Sequence, residues 1–433
     1  MKSLAEIADA LQGYDPNALP AQSVTAFLAN MVPAPTQSEA LPLMQALGRV
    51  LAQDIISPID VPPHDNSAMD GYAFDGSALA ANKPLQLQVA GRALAGAPFS
   101  GRVGAGQCLQ IMTGAILPPG LNTVVPQELV KVHQAYIEIG QGILQPGDNR
   151  RLRGEDVKVG DVALSKGSVL SPAALGLLAS LGLPKAPVFR KLRVAYFSTG
   201  DEILSLGDSP REGAVFDSNR YTVGGMLQRM GIECMDLGVV RDEPDLLESA
   251  FRSAAAQADA IITSGGVSVG EADHTKAMMR QLAHSEDPGE GGVAFWRIAM
   301  RPGRPMAVGR IGRVPLFGLP GNPVAVMVTF LAFVRPALWQ MMGARSDDPQ
   351  VQCPMLQARS SEAIRKKPGR TEYQRAIVSR AADGSLQART TGQQGSGVLS
   401  SMVQANGLMV LPHDQGNIAV GDGVQVMMFA GVL

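Results

Sequence analysis

The sequence predicts a multidomain protein of α/β plus β class, and three observations carry that prediction. Between about residues 191 and 342, apolar runs of strand length alternate with segments of helical apolar spacing, the rhythm of a mainly parallel sheet covered by helices. From 55 to 150, glycines break short apolar runs, the texture of a small β domain. After "GARSDDPQ" the pattern becomes strand-like again, which marks a second β domain. A chain of 433 residues is long enough for such a division.

Composition narrows the classes. Hydrophobic residues at 45% and charged residues at 18% are ordinary for a soluble globular protein. The net charge of −2 argues against a general nucleic-acid or membrane surface. Cys108, Cys234 and Cys353 lie far apart with no C-x-x-C, which speaks against a disulfide framework or a cysteine-based zinc site. The start "MKSLAEIADALQGYDP" has acids where a signal peptide carries a basic region. The longest apolar run, Val324 to Val334, stops at Arg335-Pro336, short of the roughly 20 residues a span requires. A cytoplasmic protein is expected. There is no fixed-period repeat and no low-complexity tract.

Taken in order, residues 20–54 read as largely helical, with Leu43, Leu47, Val50 and Leu51 at i, i+4, i+7, i+8 spacing. "LQLQV" (85–89) alternates as a strand does. Helical signals return at "LSPAALGLLASLGLP": Ser171 as N-cap, Pro172 at the first helical position, Gly182 as the stop. This resembles the 20–54 segment more than the β region between them, so the β domain is expected as an insertion in a helical linker. "LRVAYFST", "IECMDLGVV" and "DAIITS" read as buried strands. Between them, Val223, Met226, Leu227 and Met230 share one helix face, as do Leu247, Ala250, Phe251, Ala254 and Ala255. Asp383-Gly384 is a hairpin signal between "EYQRAIVSR" and "SLQART".

In a parallel sheet, ligands sit beyond the carboxyl ends of the strands. Here those ends carry "STGDE" (198–202), "VVRDEP" with Asp242, "TSGGVSVGEAD" and "PLFGLPGNP". Gly265 and Gly270 match the spacing of a phosphate-binding Walker loop, but Glu271 stands where its lysine belongs, and the spacing fails G-x-G-x-x-G. Taken singly, each acid is explained by loop or capping chemistry; Asp242, ahead of Pro244, suits a helix cap. Together, Glu202, Asp242, Glu271 and Asp273 converge on one sheet edge. Carboxylates repel one another, so such a cluster suits a hard cation such as Mg²⁺ bound to a phosphorylated ligand. N–H groups of Gly265 and Gly266 and the hydroxyls of Ser264 and Ser268 would meet phosphate. Positive charge comes from "WRIAMRPGRP", where Arg297, Arg301 and Arg304 sit on a proline-stiffened turn suited to oxyanions. Alternatively these are surface arginines paired with nearby acids. "IRKKPGRTEYQR" (364–375) reads by composition as a solvated loop.

In the β region Asp65, Asp70 and Asp75 fall five apart, largely as turn residues. Thr113-Gly114 is turn-like too. Arg150, Arg151 and Arg153 could pair with Glu155 and Asp156. The five histidines show no ligand spacing, and no nucleophile elbow or Ser/His/Asp group is present.

These stretches together resemble one family, the MoeA-type molybdopterin molybdenumtransferases, which includes the E domain of gephyrin. The motifs are "PPHDNSAMDGYA", "IMTGA", "RRLRGEDV", "VAYFSTGDE", "SNRY", "TSGGVSVGEADHT", "IAMRPGRP", "GLPGNPV", "KKPGRTEYQR" and "GQQGSGVLSSMVQANGL", in the family's order. The resemblance implies a helical linker domain (21–54 and 156–190), an inserted β domain (55–155), a three-layer molybdopterin-binding α/β domain (191–342) and a C-terminal β domain (343–433). Residues 1–20 form an extension that matches nothing. It further implies an elongated homodimer whose active sites combine the α/β domain of one subunit with the inserted domain of the other. The implied reaction takes adenylylated molybdopterin and molybdate, inserts molybdenum at the dithiolene sulfurs and releases AMP, with Mg²⁺ as cation. Transient contacts with other proteins of molybdenum cofactor biosynthesis are expected, but no nucleic acid and no membrane.

By motif, the resemblance assigns Asp70 and Thr113 to the site from the inserted domain, with Arg151 and Asp156 at its return. Glu202, Asp242 and Asp273 are its acids in the α/β crevice; the metal candidates, read from the acidic cluster itself, are Asp242, Asp273 and Glu271. Pro320 and Pro323 shape the loop before the long helix, and Arg370 and Ser400 help bind oxyanion or substrate. The family has lysines where Arg297, Arg301 and Arg304 stand, so charge is kept while donor geometry changes. Two other readings are a scaffold of the gephyrin type and the molybdopterin adenylyltransferase step. The first lacks a visible fused domain, and the second is normally a single α/β domain.

Overall fold

The computed structural model describes residues 3–11, 15–80, 82–266, 275, 277–279, 281 and 292–433. Its α/β body holds six strands: β1 (Arg193–Thr199), β2 (Glu233–Val240), β3 (Ala260–Ser264), β4 (Gly292–Arg297), β5 (Pro305–Ile311) and β6 (Val314–Leu319). They lie in the order β2-β1-β3-β6-β5-β4. The pairs β2–β1, β1–β3 and β3–β6 are parallel, while β6–β5 and β5–β4 are antiparallel.

Alternation along β1 sorts its side chains to two faces. Val194 and Tyr196 join a core that includes Val223 and Leu227 of α3 (Ser218–Arg229). Ala195 and Phe197 join the opposite core with Leu247 and Phe251 of α4 (Pro244–Gln257). The sheet is therefore sandwiched between helices, as its apolar runs predict.

The helical content expected over 20–54 is confined to α1 (Ala21–Met31). Beyond it, Ser38–Pro42 is a strand paired with Lys185–Phe189, and only one short 3₁₀ turn, Leu43–Gln45, follows. Pro42 enters that turn in an extended conformation, and Gly48 sits at φ +72, so no helix runs through Leu43 to Leu51. Helix α1 packs on the α/β body, where the Phe27 ring meets Trp296 edge-on at 4.7 Å. The helix α2 (Pro172–Ser180) forms as its caps predict: the Ser171 hydroxyl accepts from Ala174 N at 3.2 Å, and Gly182 takes φ +74. It packs with Leu51, Leu170 and Val188.

Ile55–Ile56 pairs with Val162–Leu164, so the chain leaves and returns at one place. Between them lies a six-stranded sheet running from Thr123–Pro126 at one edge to Val130–Val132 at the other. C-terminally, Thr371–Arg380, Leu386–Thr390, Met355–Ser360, Gly423–Met428 and Gly407–Leu411 close into a barrel, because the last strand pairs back with the first. The predicted hairpin turn at Asp383-Gly384 joins two of them, with Gly384 at φ +84.

Helix α5 (Pro323–Met341) continues through Arg335-Pro336, where the apolar run of the sequence ends. A π-turn at Phe330–Val334 precedes Pro336 and accommodates the missing N–H. This helix has the length and apolarity of a membrane span, yet 83% of its apolar window lies inside the molecule. It is a core helix.

Candidate active site

The ends of β1, β3 and β6 meet in contacts that only glycine permits. Gly265 sits at φ +89, and a Cβ there would lie 2.3 Å from the carbonyl oxygen of Thr199. Gly266 sits at φ +62 against the side chain of Thr275, 2.5 Å from where its Cβ would be. The Gly265 N–H donates to Leu319 O at 3.2 Å, tying this loop to the end of β6. Beyond β6, Asn219 Nδ2 of α3 donates to Gly321 O at 2.8 Å, and Pro323 occupies the first turn of α5. Pro320 is buried just ahead of that turn.

Around this floor stand the acids. Glu202 is exposed, its carboxylate folded back towards Gly200. Asp242 is half-buried; its Oδ1 accepts from Thr275 Oγ1 at 3.1 Å, and its N–H donates to Asp201 Oδ1 at 3.3 Å. Asp242 is not a helix cap. Glu243 holds the N-cap position of α4, without a side-chain bond. Ser268, Glu271 and Asp273 lie outside the described residues. The Ser264 hydroxyl is turned inward, 2.7 Å from Tyr196 OH and 3.2 Å from Ser198 Oγ. With the Gly265 N–H also engaged, the donor this loop keeps without a partner among the described residues is the N–H of Gly266.

The basic turn is built by unexpected neighbours. Arg297 N donates to Pro16 O at 2.7 Å, Leu19 N donates to Arg297 O at 3.1 Å, and Ala299 N donates to Leu19 O at 2.8 Å. The N-terminal segment therefore braces the turn. Arg297, Arg301 and Arg304 are exposed, and no ion pair holds them among the described residues. Met300–Arg301 adds to the barrel by pairing with Thr371 and Glu372. Arg370 Nε and Nη2 both reach Glu372 Oε1, at 2.8 and 2.7 Å.

Arg375, read from composition as part of a solvated loop, is 1% exposed. Its Nε donates to Ser401 Oγ at 2.9 Å, and its Nη2 to Gln393 O at 3.1 Å and Gly395 O at 2.9 Å. Burial first, and then nearby Arg301, pushes its guanidinium below the ordinary arginine value. In the same basic stretch, Lys366 is buried and donates to the carbonyl of Gln415 at 2.7 Å. The loop clasped by Arg375 reaches the α/β body, since Val324 N at the start of α5 donates to Ser396 O at 3.1 Å. Exposed Ser400 opens the short helix that follows.

In the inserted sheet, Asp70 and Thr113 do meet. Asp70 Oδ1 accepts from Thr113 N at 2.7 Å and Thr113 Oγ1 at 2.8 Å, and these bonds hold its carboxyl below the usual range, the backbone bond foremost. Arg150 and Arg153 pair with Asp65 and Asp60, not with Glu155 or Asp156. Arg151 is exposed opposite Asn66, and Asp156 is exposed with its N–H on Val61 O. Among the described residues, no hydrogen bond or ion pair joins Asp70, Thr113, Arg151 or Asp156 to the strand-end crevice.

Sequence reasoning missed Tyr196, Thr275, Arg375 and the 16–19 segment. Their signals are weak, because each is an ordinary core or loop residue until its partners, far off in the chain, are known. Asn219 lies in the quoted "SNRY" but carries no spacing that reveals its bond to Gly321.

Comparison with known proteins covers nearly the whole chain. Residues 19–182 match the MoeA N-terminal region (domain I and II), residues 195–340 a "probable molybdopterin binding domain", and residues 357–429 the MoeA C-terminal region (domain IV). A molybdopterin molybdenumtransferase of Haemophilus influenzae is 40% identical over 406 residues, 94% of this chain and 97% of its own. Molybdopterin molybdenumtransferase 2 of Mycobacterium tuberculosis is 34% identical over 389 residues, 89% of this chain and 94% of its own. The crystal structure of a molybdopterin biosynthesis MoeA protein from Pyrococcus horikoshii is 28% identical, with a TM-score of 0.79 over 95% of this chain and all of that one.

Proposed function

The chain belongs to the MoeA family of molybdopterin molybdenumtransferases, transferases that insert molybdenum in molybdenum cofactor biosynthesis, and on that premise we propose that the strand-end crevice takes adenylylated molybdopterin and molybdate and releases AMP. What supports this best is that one edge of the sheet carries a glycine loop, a carboxylate held by Thr275 and three exposed arginines with no ion pair among the described residues. Phosphate and molybdate are both oxyanions, and both need donors without competing acids. Arg297, Arg301 and Arg304 supply them on the basic turn and the Gly266 N–H from the crevice floor, while Arg370, already ion-paired to Glu372, and exposed Ser400 would add contacts from the barrel side. The sulfur ligands come from the pterin substrate, which suits a chain of three scattered cysteines.

The donor set of Asp242 with Asp273 and Glu271 is all carboxylate, which fits a hard divalent cation. Asp242 has one oxygen held by Thr275 and its Oδ2 without a partner among the described residues. Mg²⁺ held there would neutralise charge on the adenylyl phosphate. Asp70 and Thr113, with Arg151 and Asp156, would serve the crevice of a second copy in a homodimer; among the described residues no hydrogen bond or ion pair joins them to the crevice of their own chain. Transient contacts with other cofactor-biosynthesis proteins in the cytoplasm would deliver substrate and receive product.

Asp273→Asn tests the reading. AMP release from adenylylated molybdopterin is expected to fall by about 100-fold or more. Release at the normal rate would show that Asp273 has no such role. Failure of the wild-type chain to load molybdenum at all would remove the reaction itself.

A further inference from the structure

We infer that Tyr196 is a positioning residue for the crevice: its hydroxyl locks Ser198 and Ser264 together and so sets the spacing of the Thr199–Glu202 loop against the glycine loop. This rests on the reading of the crevice as the active site.

Three hydroxyls meet directly beneath the two loops. Tyr196 OH lies 2.9 Å from Ser198 Oγ and 2.7 Å from Ser264 Oγ, and the two serine oxygens are 3.2 Å apart. Their residues are 1%, 2% and 1% exposed. Each hydroxyl carries one proton and can accept another. A closed ring of three therefore satisfies every member without water. Burial holds the phenol above its ordinary pKa, so it remains a neutral donor at working pH.

The place of Tyr196 in the strand is what makes the ring possible. Ser198 and Ser264 are register partners across β1 and β3, and Tyr196 is the partner of Ile262 one step below. Its neighbours on that face, Val194 and Ile262, are apolar core residues. An apolar side chain would fill the same volume, so packing alone does not call for a buried phenol. Without the phenol oxygen, the two serines would have only one another, and one buried proton would lack an acceptor.

The ring acts on the residues just above it. Ser198 leads into Thr199, whose carbonyl is the atom that Gly265 approaches too closely for any Cβ. Ser264 leads into Gly265 itself. Thr199 Oγ1 is also 3.4 Å from Thr275 Oγ1, which bonds Asp242. A shift between the two strand ends would therefore reach both the glycine loop and an acid of the crevice.

Tyr196→Phe keeps the ring volume and removes only the hydroxyl. In molybdenum insertion assays with adenylylated molybdopterin, we expect KM to rise about 3- to 10-fold, the worth of roughly one neutral hydrogen bond, while kcat changes less and unfolding stays cooperative. Ser264→Ala, which leaves the aromatic ring in place, should raise KM similarly, and would carry the test should Tyr196→Phe fail to fold. The double variant should be no worse than the poorer single one, because both remove the same link. An unchanged KM in Tyr196→Phe, or effects that multiply in the double variant, would overturn the positioning role alone. An inactive wild-type chain would overturn the proposed function and this role with it.

Discussion

At Gly265 the backbone stands at φ +89, and Thr199 O lies 2.3 Å from the position a Cβ would take, so the conformation and the contact both exclude a side chain. Gly265→Ala should cost about 1–3 kcal/mol, read as a lower midpoint in urea unfolding, and should weaken substrate binding further. Asp65 is a different kind of residue. Its carboxyl is held below the ordinary value of 3.8 by the Arg153 N–H foremost and by Arg150, against the opposing effect of burial. A depressed carboxyl favours the folded state above its unfolded pKa and loses that contribution as pH falls through the folded value. Asp65→Asn should therefore lower stability at pH 7 by no more than about 1 kcal/mol, because the pair is partly solvated. The gap to wild type should close as pH falls below 3.8 and through the lower folded-state value; a gap that persists once the carboxyl is protonated in both states would point to packing instead. Neither residue declares this role in the sequence. Gly265 reads there as a phosphate donor, yet its N–H is already engaged by Leu319 O.

Among the elements, α1 matters to the site through its packing. Phe27 is fully buried against Trp296, which directly precedes Arg297 at the end of β4. Phe27→Ala should destabilise the protein by about 3–5 kcal/mol, measured by denaturant unfolding, and should loosen the basic turn. Elements governed by local chemistry are legible in the sequence: α2 by Ser171, Pro172 and Gly182, and the barrel hairpin by Asp383-Gly384. The Leu43–Leu51 segment is not, because apolar spacing suggests a helix where the preceding Ser38–Pro42 is held by the distant strand Lys185–Phe189. Helix α5 is legible as a helix after Pro323, but its apolar run ends at Arg335-Pro336, and its buried surroundings carry the helix past Pro336 through a π-turn.

On the scale of the whole molecule, the proposed sharing of the crevice between two copies has a direct consequence. Asp70→Asn and Asp273→Asn chains, each inactive alone, should regain molybdenum insertion when co-expressed, because a mixed dimer retains one intact crevice. No recovery would mean that each site is complete within one chain. The residues by themselves determined the alternation of strand and helix in the α/β body, the caps of α2, the acidic and basic loops at the strand ends and the family. These depend on neighbours a few positions apart or on the order of short motifs. Only the tertiary structure decided that Ser264 turns inward to Tyr196, that Arg375 is buried as a clasp on the 393–401 loop, that residues 16–19 brace Arg297, and that Asp70 and Thr113 meet. Burial and partnership join positions from tens to hundreds of residues apart, and no local pattern encodes them.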